Sequence, residues 1–190
     1  TLKLKGDLYE FPFRDGRDGT FEVRGKFREA MLRYAAGWPE IAGIDGELLF
    51  AGARMLITGK TAHMFGVGLR DVRAEIADLG QDDPLLTVTG RAAGPTADFL
   101  RFIEASPVGE RIDHFTEDMK AEGSGELDLK LALPLRRIAQ SKVDGSYRFD
   151  GNRLTVDGDL PPLTDVRGAL QFSAEHLGAR GIRASLLGSP

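Results

Sequence analysis

The sequence contains no cysteine. Disulfides, thiolate nucleophiles and zinc-thiolate centres are excluded together, while the compartment stays open, because many exported proteins also do without cysteine. Long apolar runs are missing too. No window approaches 18 uncharged apolar residues, and the first residues lack the basic start and apolar core of a signal peptide. Nor is there a basic excess: 25 Lys and Arg stand against 29 Asp and Glu, a net charge of −4 with the signs interspersed, which argues against a nucleic-acid surface.

Catalytic signatures are equally scarce. Gly59-Lys60-Thr61 has the residues that end a phosphate-binding loop, but Arg54 stands where that loop needs its first glycine. His63, His114 and His176 lie far apart, without carboxylates at ligand spacing, so no metal and no cofactor is expected. Asp15 with Asp18, and Asp157 with Asp159, match no EF-hand or calcium repeat and read as turn residues. No Gly-x-Ser-x-Gly elbow occurs. A buried carboxylate pair leaves no trace in spacing, so an enzyme stands as one alternative.

What is present is a period of two. In Ile44-Asp-Gly-Glu-Leu-Leu-Phe50 the branched residue, the glycine, the leucine and the phenylalanine fall on every second position, hence on one face of a strand. The spacing returns at Val143–Phe149 and again at Val166–Phe172. An offset of 122 carries Gly46 to Gly168 and Pro39 to Pro161, so the repeat units span about 38–50, 143–149 and 160–172. Such self-similarity points to stacked strand units sharing one face.

Elsewhere the same alternation continues with interruptions. Leu2, Leu4 and Leu8 alternate through Phe13, a turn-rich linker follows at 15–19, and Phe21, Val23, Gly25 and Phe27 resume it. The apolar phase slips at Arg28-Glu29 and at Arg70-Asp71, where a bulge or tight turn is required to keep the apolar set on one face. Gly123 to Pro134 sets Leu127, Leu129, Leu131 and Leu133 against Glu126, Asp128, Lys130 and Ala132, one dry face and one wet. A turn is expected at Asp150-Gly151-Asn152, with a separate strand at Leu154–Val156, and a last apolar piece at Ile182–Leu187.

One region departs from strand periodicity. Thr96 can cap a helix whose Phe99, Phe102 and Ile103 share a side and which ends before Ser106-Pro107; Ile112, Phe115 and Met119 are spaced for a second amphipathic turn. The expected fold is therefore mainly β: an elongated, curved antiparallel sheet with a short helical insertion around residues 96–119. Because the chain opens and closes inside strand patterns, it reads as a segment, 1–190, of a longer protein. With so little helix, the dry face must be buried by a second sheet, by barrel closure or by a ligand, and periodicity alone does not choose.

Trp38-Pro39-Glu40-Ile41 through Phe50, Leu86–Gly90, the run Gly94–Ile103 with Ser106-Pro107, and Leu131–Leu135 together resemble the central region of YhdP-type proteins, of the AsmA-like group that includes TamB. The likeness runs from about Leu2 to Gly188, with the helix and Ser106-Pro107 as its most specific part. The resemblance implies a repeating β-groove anchored in a Gram-negative inner membrane, with its mass in the periplasm and no catalytic residues to carry over. It further implies a conduit moving phospholipid between the inner and outer membranes, with acyl chains and the rest of the same polypeptide as partners. On that reading Leu48, Phe50, Leu127, Leu129, Leu131, Leu133, Tyr147, Phe149, Leu170 and Phe172 are expected to line the groove, and Phe99, Phe102 and Ile103 to cap it. The alternative is a filled β-sandwich serving as a scaffold in envelope assembly.

Overall fold

The structure, a computed structural model, describes residues 1–14 and 16–186. Asp15, and with it the Asp15/Asp18 pair, lies outside the described residues, as do Leu187 and Gly188.

Eleven strands form one antiparallel sheet. They are β1 (Leu2–Gly6), β2 (Gly19–Leu32), β3 (Ile41–Ala51), β4 (Arg54–Met64), β5 (Val67–Ile76), β6 (Leu85–Pro95), β7 (Lys120–Glu122), β8 (Ser124–Pro134), β9 (Lys142–Thr155), β10 (Leu163–Ser173) and β11 (Leu177–Leu186). Ten follow one another across the sheet in chain order from β1 to β11, and the short β7 pairs with β9 beside β8. Helices α1 (Thr96–Glu104) and α2 (Val108–Arg111) interrupt this order between β6 and β7. The path is open, since β1 and β11 do not pair, and among the described residues there is no second sheet. Neither a filled sandwich nor a closed barrel is formed.

At 4.8 Å per strand gap, the ten-strand path is about 43 Å long, and an 11-residue strand crosses it over about 36 Å. A single layer of this size leaves much surface open. A compact monomer of 20.7 kDa would expose about 8,900 Å², whereas this chain exposes 12618 Å².

Bulges shape the layer. Register shifts interrupt β2–β3 between Phe27 and Ala30, and β5–β6 between Arg70 and Arg73, where the apolar phase slips in the sequence. Glu29, Gly43 and Asp71 take left-handed φ values of 49°, 59° and 53° in β2, β3 and β5, and Gly151 and Asp165 do so in β9 and β10, at 72° and 50°. Bulges bend a strand and increase its twist. Recurring in β2, β3, β5, β9 and β10, they bend the sheet across its strands.

Several expectations are corrected. Leu8 does not extend the first strand: Asp7 caps a 3-10 turn at Leu8–Glu10 through a 3.0 Å bond from the Tyr9 amide, and Leu8 is exposed. Asp150-Gly151-Asn152 is a bulge within a continuous β9, not a turn between two strands. Thr96 is the first residue of α1 rather than its cap, because Pro95 holds that position and the Thr96 hydroxyl is engaged elsewhere. Only α1 and the four-residue α2 are helical in the insertion; residues 112–118 are mostly turns, and Phe115 is 67% exposed instead of packing on an amphipathic face.

Candidate functional site

Residues paired across antiparallel strands share a face, so the register traces rows of side chains through the sheet. One row runs Val23, Phe50, Met55, Ile76, Leu86, Leu133. The next takes Leu48, Ile57, Ala74, Val88, Leu131 and Val143. A third joins Ala92, Leu127, Tyr147 and Leu170. Leu129 lies between the last two rows, opposite Gly90 and Gly145, with Phe172 beyond. Phe149 stands between Gly125 and Gly168. All ten groove candidates therefore occupy one face, and that face is apolar from β2 to β10.

The groove candidates left out the members of the rows in β4, β5 and β6, Met55, Ile57, Ala74, Ile76 and Val88, although the same alternation marks them in the sequence.

Glycines let large side chains lie down on this face. A Cβ on Gly46 would stand 2.7 Å from the Phe27 ring, and one on Gly145 would stand 2.2 Å from the Phe172 ring. Each aromatic thus covers the bare backbone of the adjacent strand, the arrangement in which an aromatic compensates for a cross-strand glycine.

The opposite face carries the charge. Glu22 meets Lys3 and Arg24, Glu47 meets Lys26 and Lys60, Glu75 meets Arg54 and Arg73, and Arg91 meets Asp71 and Asp128. Hydrogen bonds from Arg73 and then Arg54 hold the Glu75 carboxyl below the ordinary 4.5. A depression of about 760 Å³ is lined by Asp71, Arg91, Asp128, Lys130, Asp144 and His176, and also by the groove candidates Leu129 and Phe172. Its arginine, Arg91, is already paired with two of its carboxylates, Asp71 and Asp128.

Helix α1 lies along one rim, where strands β2, β4, β6 and β9 end. Phe99 packs edge-on against Tyr147 at 5.0 Å between ring centroids, Phe102 meets Trp38 at 6.0 Å, and Arg101 sits 4.1 Å over the Phe65 ring. The helix thereby ties β9, the β4–β5 hairpin and the β2–β3 loop together. Ile103 is half-buried on the same helix. Phe99 and Phe102 thus reach the aromatic groups at the rim, and Trp38 is the partner that helical spacing could not reveal.

Beneath α1 is the best-buried part of the sheet, formed by Tyr147, Phe149, Leu154 and Val166. It contains a polar cluster. The Thr96 hydroxyl lies 2.8 Å from the Tyr147 hydroxyl, and the fully buried Asn152 donates from Nδ2 to Thr96 Oγ1 at 2.7 Å and to the Glu122 carbonyl at 3.1 Å. Asn152 Oδ1 accepts from the Asp150 amide at 2.9 Å. Among the described residues no buried side-chain polar atom lacks a partner. Burial pushes the Tyr147 phenol above its usual 10, against the opposing effect of its bond to Thr96. This cluster fixes the start of α1.

Among the described residues no group of three or more His, Asp or Glu side chains could hold a metal ion. His114 approaches Glu104 alone, at 3.6 Å. No described helix is long and apolar enough to cross a membrane.

A family model described as YhdP protein matches residues 1–190. The chain is also 23% identical over 195 residues to a protein of Escherichia coli (strain K12) named intermembrane phospholipid transporter YhdP, covering 100% of this chain and 15% of that protein. No solved structure matches.

Proposed function

The chain belongs to the YhdP family, and from that premise we propose that it is a non-catalytic section of a lipid conduit, its apolar face holding phospholipid acyl chains. The observation that carries this reading is an apolar face continuous across the sheet with, among the described residues, no second sheet over it. Each CH₂ moved from water onto such a face contributes about 0.8 kcal/mol. A chain of a dozen or so carbons is then held without any specific polar contact, which suits a surface of Leu, Val, Ile and Phe. The printed name of the E. coli relative supports phospholipid as the cargo and two membranes as its source and destination.

On this reading the ten residues from Leu48 to Phe172 contact acyl chains, and Phe99, Phe102 and Ile103 close one rim. The segment works in the periplasm within an inner-membrane-anchored polypeptide and supports the outer-membrane barrier. The scaffold alternative needs a filled core, and the open single layer does not favour it.

Native mass spectrometry of the purified chain, with organic extraction of whatever accompanies it, tests the proposal. Retained phospholipid that is lost in Leu129→Asp and Leu131→Asp, with far-UV circular dichroism unchanged, supports it. A lipid-free chain that also takes up no added phospholipid overturns it.

A further inference from the structure

Most of the insertion between β6 and β8 adds nothing to the sheet, since only the three residues of β7 join it. Its turns are nevertheless held in one shape. The Glu104 carboxylate, on α1, accepts a 2.6 Å hydrogen bond from the Thr116 hydroxyl and lies 3.6 Å from His114 Nδ1. Both neighbours of Phe115 are thus tied to one carboxylate. The backbone holds the same turn: the amides of His114, Phe115 and Glu117 donate to the carbonyls of Gly109, Ile112 and His114, at 2.9, 3.1 and 2.9 Å. Asp113 and His114 take left-handed backbone in succession, with φ of 51° and 54°, a conformation that disfavours residues with side chains. The outcome is that Thr116 is buried while Phe115 beside it is 67% exposed, with Ile112 exposed as well. A large apolar ring fixed in water gains nothing from being held there, so a turn that holds it marks a point of contact.

The charge around this ring differs from that on the sheet. There, Glu22, Glu47 and Glu75 each meet a lysine or an arginine. Here, among the described residues, the one acid–base contact within the insertion is that of His114 with Glu104, and Glu110, Asp113, Glu117 and Asp118 are exposed without an ion pair. Residues 96–119 hold six acids and two arginines, an excess equal to the net charge of the whole chain, −4.

That charge selects the partner. Two copies of the tip repel each other, and an anionic bilayer repels it in the same way. A basic surface is attracted. We propose that Phe115, with Ile112, docks into an apolar pocket on another protein, whose rim carries Lys or Arg to meet Glu110, Asp113, Glu117 and Asp118. In such a contact the buried aromatic anchor supplies affinity, and the surrounding charges steer encounter and exclude wrong partners. The insertion is rooted at the middle of the sheet. Its β6 stem lies five strand gaps from β1 and β8 lies three from β11, about 24 and 14 Å. Strands added beyond either end extend the sheet away from it. Nothing in this contact depends on what the apolar face carries.

A benzophenone amino acid at position 115 of the full-length polypeptide, irradiated in the cells that make it, tests the proposal. The expected product is an adduct with a different protein, which mass spectrometry places on a segment where Lys and Arg outnumber Asp and Glu. A synthetic peptide of that segment is then the probe. Its Kd for the purified 190-residue chain is expected to rise at least tenfold with Phe115→Ser, and likewise with Glu117→Lys and Asp118→Lys together, with far-UV circular dichroism unchanged in both. It is also expected to rise with salt. No adduct, adducts only with lipid, with the same polypeptide or with a second copy, a crosslinked segment without a basic excess, or equal affinity of the variants would each overturn the proposal. Lipid is absent from the binding measurement, so failure here is separable from failure of the lipid reading.

Discussion

Asn152 shows how much of the structure one side chain holds. It is 0% exposed and its bonds reach β7, β9 and the first residue of α1. Leaving buried groups unpaired costs about 1–3 kcal/mol each, whereas losing one neutral bond costs about 1 kcal/mol. Asn152→Ala is accordingly expected to destabilise by roughly 3 kcal/mol in urea unfolding and Tyr147→Phe by about 1 kcal/mol. The glycines grade in a similar way. The nearest atom to a Cβ on Gly46 is the Thr58 carbonyl oxygen at 2.4 Å, a backbone atom, while on Gly145 all three nearest atoms belong to the movable Phe172 ring. Overpacking costs about 1–3 kcal/mol, so Gly46→Ala is expected near the top of that range and Gly145→Ala near the bottom, read from the same unfolding curves. The dry face was legible in the sequence because a strand's two-residue period is written directly into it, as in Leu127 to Leu133. The Asn152 cluster was not, since the Thr96 hydroxyl and the Glu122 carbonyl lie 56 and 30 residues from Asn152 and nothing local marks them.

At the scale of elements, strands and the first helix could be read, whereas the rest of the insertion could not. Ile112, Phe115 and Met119 have helical spacing, but four residues of α2 fall short of a self-supporting helix, and the turns that follow leave Phe115 in solvent. The bulges were legible as phase slips at Arg28-Glu29 and Arg70-Asp71, because an apolar set that changes parity must change face or insert a residue. The bulge at Gly151 escaped notice, since its residues Asp150-Gly151-Asn152 also compose a good turn. The chain's single tryptophan reports on α1. Phe102→Ala removes the ring at 6.0 Å from Trp38, and the expected outcome is a red-shifted emission with far-UV circular dichroism unchanged; an unshifted spectrum would mean that α1 is not held by this contact. The polar face gives a pH dependence. Glu22, Glu75 and Asp83 have carboxyl pKa values lowered by Arg24, by Arg73 with Arg54, and by the Arg136 amide with Arg137. A lowered folded-state pKa contributes stability that is full above the unfolded value and is lost as pH falls through the folded one. The melting temperature is expected to drop between about pH 5 and about pH 3, and to drop less in Glu75→Gln; an equal drop in that variant would remove Glu75 from the account.

Taken whole, the molecule is a layer that exposes 12618 Å² where a compact chain of its mass would expose about 8,900 Å². A domain built from two layers hides its dry face in itself. This one leaves that face available, and the central claim is that phospholipid acyl chains occupy it. The most direct measurement is photocrosslinking at adjacent positions of one strand. Leu131 faces the apolar rows and Lys130 the charged side, one residue apart on β8. A benzophenone amino acid is placed at each in turn, and the chain is irradiated with phospholipid vesicles and analysed by mass spectrometry. The account predicts phospholipid adducts at position 131 and at Leu129, and none above background at position 130. Equal labelling at 130 and 131, or none at either, would contradict it.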